Sequence, residues 1–268
     1  MQKIKTIIGK EWAEVFKNKM VISVIVFMPL LFTAMMLGFL YVSLDADMMG
    51  LGDMSASLEE LPDEFADMCA ESNSPGDCML TYMMNQFLIM YIFVPLIIPI
   101  NIAAYSIVGE KTRHSLEPLL GTPIKTVELL VGKMLAAVIP AVIATWLGFL
   151  IFCVGAAIIS GGFSLVVTLL DVGWLVAIFL LGPLMSLFSV CICLMISSRV
   201  RDPRVAEQWS SIVIMPVMLL LFGQIFGWLV FSSTLALILS LVMAILDVII
   251  VYFCVQLFER ETILTRWK

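Results

Sequence analysis

The sequence predicts an all-α integral membrane protein of six transmembrane helices with both termini cytoplasmic, on three observations. Hydrophobic residues fill 62% of the 268 positions and charged residues 13%, with a mean hydropathy of +1.08, whereas a soluble domain is about half apolar and a quarter charged. Uncharged runs occur at 20–44, 79–108, 134–170, 172–198 and 208–246, the last continuing past Asp247 to Phe258. Each exceeds the roughly 20 residues that cross a bilayer, and the last is long enough to cross twice. All fifteen Lys and Arg fall in four segments on one side of a six-helix path, which the positive-inside rule makes the cytoplasmic side. That side also carries nine acids, and the other side eleven acids and no base. The net charge of −6 therefore hides a basic inner face and says nothing of nucleic acid. The length suits one transmembrane domain, residues 1–268, and the composition excludes a soluble enzyme.

Residues 1–19 place Ile4, Ile7, Ile8, Trp12, Val15 and Phe16 on one face at helical spacing, with Lys3, Lys10, Glu14 and Lys17 away from it. This is an amphipathic interfacial helix. The segment is too charged for a signal-peptide n-region and the run after it too long for an h-region, so the first span is read as retained. The outer segment 45–78 carries ten acids, no Lys or Arg, and Cys69 and Cys78, a spacing that can close a small disulfide loop outside the membrane. It reads either as a cation-attracting vestibule or as a solvated acidic loop. Cys153, Cys191, Cys193 and Cys254 fall inside spans and read as small packing residues, with Cys191 and Cys193 on different sides of one helix.

The longest cytoplasmic segment, 109–133, reads GEKTRHSLEPLLGTPIKTVELLVGK. Its leucines alternate with polar residues, so an apolar face there needs a cover. Thr122-Pro123 is an N-cap followed by a first-position proline and predicts a helix start running into span three; Asp202-Pro203 repeats the signal before span five. Residues 110–120 then form a short helix along the membrane surface. Pro29, Pro95, Pro99, Pro140, Pro183 and Pro216 lie within spans, where each frees a carbonyl that neighbours must satisfy.

The amphipathic N-terminal helix, the run Glu110-x-x-x-x-Ser115-Leu116-Glu117-x-Leu119-Leu120-x-Thr122-Pro123-Ile124 and then Glu128-Leu129-Leu130-x-Gly132-Lys133 together resemble the membrane (permease) subunit of ATP-binding-cassette (ABC) type-2 exporters. The resemblance covers the whole chain in topology and is specific across 110–133. It implies that the segment between spans two and three is a coupling helix seated in a cleft of a separate cytosolic ATPase. Glu110, Arg113, Ser115, Leu116, Glu117, Leu119 and Leu120 are then the ATPase-coupling residues. It further implies two such ATPases per complex, which carry the ATP and Mg, and a second permease copy, identical or related. In such families a hydrophobic re-entrant piece often lies between spans five and six; Phe222 to Thr234 fits one, and fits a plain hairpin too.

The chain's own residues agree with that division of labour. A phosphate loop needs GxxxxGK[ST], and no such run occurs; Gly121-Thr-Pro-Ile-Lys125-Thr126 lacks the second glycine, and Pro123 removes an amide. With one histidine, His114, there is neither a catalytic triad nor a histidine metal cluster; no catalytic residue, metal or cofactor is expected in this chain. Asn101, Gln224 and Asp247 are the polar residues within spans that a translocation path would use, the alternative for each being helix packing. Two functions follow. One is a permease subunit that alternates access under ATPase control and exports a hydrophobic or amphiphilic compound or an ion. The other is an ATP-independent secondary transporter or channel with Asp247 as its ion or proton site.

Overall fold

The computed structural model describes residues 2–48, 75–112, 126–162, 166, 172–200, 202–226, 228 and 231–260. Its helices are α1 (Gln2–Val15), α2 (Lys19–Met48), α3 (Pro75–Thr112), α4 (Thr126–Ile159), α5 (Val172–Ser197), α6 (Pro203–Ile225) and α7 (Ser233–Arg260). Among the described residues six helices, α2 to α7, are long and apolar enough to cross a membrane. The all-α, six-span architecture is therefore present.

Local chemistry sets several boundaries. Asn18 separates α1 from α2, its Oδ1 accepting the Met20 amide at 3.1 Å as an N-cap. Gly161, at φ 69°, ends α4 in the left-handed conformation that a glycine adopts without Cβ strain. Asp202 caps α6 as its sequence predicts: its Oδ1 accepts from Arg204 N at 2.9 Å, with Pro203 at the first helical position. The Thr122-Pro123 start lies outside the described residues.

Helix continues further than the hydropathy runs. Residues 45–48 and 75–78, read from the sequence as outer loop, belong to α2 and α3; residues 109–112 continue α3, where the sequence reading began a separate surface helix at 110, and 126–133 belong to α4, in line with the predicted helix that runs into span three. Charge ends a hydropathy run but not a helix, because Lys and Glu are good helix formers once outside the lipid. Phe222–Ile225 and Ser233–Thr234 are likewise helical, which leaves seven positions, 226–232, between α6 and α7. Trp228 N donates to Gly223 O at 2.8 Å and closes α6 there. Seven positions are too few for a re-entrant helix pair.

α3 is the central helix: 83% of its span is buried, against 22–28% for α2, α4, α6 and α7. Around its N-terminal half the core is aromatic, with Phe152 stacked on Trp174 at 5.8 Å and Phe149 at 6.2 Å from the same indole. Around its C-terminal half small residues are frequent, among them Ala103, Ala137, Ala141, Cys191, Cys193 and Cys254. Small side chains let helices approach where no hydrophobic effect drives them together.

Three in-span prolines show how the freed backbone is satisfied. Pro99 leaves Pro95 O without its amide, and Ser186 of α5 donates to it at 2.9 Å. Pro140 leaves Ala136 O, which the Trp12 indole of α1 takes at 3.0 Å. In α5 a π-helical turn, Ala177–Leu181, bonds Gly182 N to Ala177 O, so Pro183 deprives Ile178 O; the Trp146 indole supplies that bond at 3.3 Å. Each proline thus converts a local break into a tie between two helices.

Candidate functional site

A buried polar cluster joins α1 to the helices that lead into and out of the 113–125 segment. It starts from the register of α1, whose inward stripe is Ile7, Glu11 and Val15, one per turn. The sequence reading put only apolar residues on this face. The structure centres it on a carboxylate instead, Glu11 at 2% exposure, and leaves Phe16 exposed. The reason is a partner: Lys133, itself 6% exposed, reaches Glu11 Oε1 at 2.8 Å.

Ser106, near the C-terminal end of α3, completes the ring. Its hydroxyl donates to Glu11 Oε2 at 2.5 Å and accepts from Lys133 Nζ at 2.9 Å. Charge, countercharge and hydroxyl are thus mutually satisfied, the condition under which a buried ion pair is tolerated. Around it, Lys3 lies 3.7 Å from Glu128, and Lys10 lies 3.9 Å from Glu11 and 3.7 Å from Glu14. Packing reinforces the polar ring. A Cβ added at Gly132 would lie 2.7 Å from Ile7 Cγ2, so glycine there lets α1 reach α4 closely enough for Lys133 to bond. Trp12 fixes the next turn through Ala136 O.

Glu11, Ser106 and Lys133 are the residues that sequence reasoning missed. Glu11 entered it only within the count of charges on the basic side, although it lies four residues from both Ile7 and Val15 and so must share their face. Gly132-Lys133, quoted above only as part of a pattern, acquires a physical role.

Of the predicted coupling residues, Glu110 lies in the last turn of α3, while Arg113, Ser115, Leu116, Glu117, Leu119 and Leu120 lie outside the described residues, as does Cys69. Cys78 falls in the first turn of α3. The path candidates stand on three helices. Asn101 on α3 turns its amide to Ile97 O one turn back at 2.9 Å, a bond within its own helix. Gln224 on α6 is 1% exposed. Asp247 is 4% exposed on the buried face of α7, in line with Ala236, Ser240, Met243 and Cys254, and neither carboxylate oxygen has a hydrogen-bond partner among the described residues. Cys191 and Cys193 diverge as expected: Cys254 Sγ lies 4.0 Å from Cys191 O, while Cys193 faces Ile100 O at 3.5 Å.

Comparison with known protein families matches residues 5–247 to the one described as ABC-2 family transporter protein. No curated protein matches the chain.

Proposed function

As the chain belongs to the ABC-2 family of transporter proteins, we propose that it is the permease subunit of an exporter whose membrane domain alternates access under the control of separate cytosolic ATPases. The family places it in the plasma membrane as a multi-pass component of an ABC transporter, associated with ABC ATPase. The finer reading has two ATPases, which hold ATP and Mg, acting on two permease copies. The cargo is a hydrophobic or amphiphilic compound or an ion.

The observation that carries this reading is the Glu11–Ser106–Lys133 ring. Segment 113–125, which holds most of the proposed coupling residues, leaves from the end of α3 and returns at the start of α4. The ring ties both flanks to α1. A push on the segment is therefore delivered to three helices at once, and ATP does work only if the docked ATPases favour one arrangement of those helices over another. The test is ATP-driven transport in sealed vesicles holding the permease and its ATPase. It should require both proteins and fall at least tenfold in Leu116→Asp/Leu120→Asp; transport that survives the double change overturns the coupling assignment.

A second reading has one observation in its favour. Asp247 is a buried carboxylate without a hydrogen-bond partner among the described residues, and an ionisable group at membrane depth is a functional site by default. As an ion or proton site it predicts ATP-independent flux that disappears in Asp247→Asn, measured in the same vesicles without ATPase.

A further inference from the structure

We propose that the groove between α1, α2 and α4 holds one acyl chain of an anionic phospholipid from the leaflet on the side of α1, with its phosphate on Lys17 and Lys19. The groove is a cavity of about 470 Å³. Its origin is a helix crossing. A Cβ added at Gly148 of α4 would lie 3.0 Å from Pro29 Cβ of α2, and Thr33 Oγ1 of α2 donates to Gly148 O at 3.2 Å. The two helices are therefore in contact at this level. From the crossing the cavity opens toward α1, between the proline-bearing turns at Pro29 and Pro140, and Trp12 and Phe16 close its end.

Three features select the occupant. The lining side chains are apolar, and Val26, Leu30, Ile143 and Ile151 are each 43–53% exposed, so the groove faces the lipid. Its lining on α4 runs from Ile139 to Ile151, about 18 Å at 1.5 Å per residue. That is a little more than half the ~30 Å hydrocarbon core, the depth of one leaflet and the reach of one acyl chain. Charge fixes the headgroup. Lys17 directly follows Phe16 at the α1 end and Lys19 lies two residues further on; both are exposed and have no ion-pair partner among the described residues. The nearby acids are engaged elsewhere, Glu14 with Lys10 and Glu11 with Lys133. Trp12, held by Ala136 O, keeps the wall in place whether or not a lipid is bound. The proposal does not depend on the transport reading.

The test is native mass spectrometry of the intact protein released from nanodiscs of equimolar phosphatidylglycerol and phosphatidylcholine. One phosphatidylglycerol per chain should survive activation that strips the remaining lipid. Lys17→Gln/Lys19→Gln should remove the preference over phosphatidylcholine, a change of about fivefold per lysine. Ala144→Trp, which fills the cavity from α4, should abolish retention; Leu30→Trp fills it from α2 and serves should the first variant fail to insert. No retained lipid, equal retention in the filled variants, an unchanged preference in the lysine variant, or a retained molecule that is not a phospholipid overturns the proposal.

Discussion

Removing either charge of the Glu11–Lys133 pair should destabilise the protein more than removing both. At 2.8 Å and an effective dielectric of ~20 the pair attracts by about 6 kcal/mol, most of which offsets the cost of taking both groups out of water. Glu11→Gln leaves Lys133 buried beside a neutral amide, and Lys133→Met leaves the buried Glu11 with the Ser106 hydroxyl and only the longer 3.9 Å approach of Lys10. Each single change should cost about 3–5 kcal/mol, a fall in midpoint on the order of 10 °C. The double variant Glu11→Gln/Lys133→Met has no stranded charge and should recover more than half of that loss. The assay is thermal unfolding of the purified protein in one detergent, followed by intrinsic fluorescence and repeated for the four members of the cycle. Single variants within about 0.5 kcal/mol of the parent, or a double variant whose loss equals the sum of the singles, would refute the argument that this ring holds α1 in place.

Other expectations follow from the same geometry. Ser186→Ala should cost about 1–3 kcal/mol by orphaning Pro95 O, and adding Pro99→Ala, which restores the helix's own amide, should return most of it in the same melts. Gly132→Ala should cost about 1–3 kcal/mol through the clash with Ile7, and Ile7→Ala in that background should relieve part of it; protease accessibility of α1 provides a second readout. Asp247→Asn removes a buried carboxylate that lacks a hydrogen-bond partner among the described residues, so its melting midpoint should stay level or rise. A fall of several degrees would show that the carboxylate is held by interactions its surroundings do not reveal.

The six spans were legible because lipid demands about 20 apolar residues whatever their order, and the Asp202 cap because its geometry is local. The inner face of α1 was legible only in its apolar members. Glu11 is paired with residues 95 and 122 positions away, and periodicity alone assigns a lone acid to water. The proline ties were foreseen in kind, since freed carbonyls need donors, but that Ser186, Trp12 and Trp146 supply them depends on helix rotation and crossing. Asn101 is a path candidate because it is polar within a span; that its amide nitrogen donates to Ile97 O within its own helix depends on a rotamer that sequence does not reveal.

The central claim is that this chain works with a separate ATPase through the segment between α3 and α4. Gentle solubilisation of a tagged copy from its native membrane, with identification of what co-purifies and assay of the eluate for ATP hydrolysis, tests it most directly. The account predicts a stoichiometric P-loop ATPase that is lost in Leu116→Asp/Leu120→Asp while the permease itself remains folded. A permease that emerges alone and inert toward ATP from several mild detergents, or an ATPase that stays bound to the double variant, would contradict it.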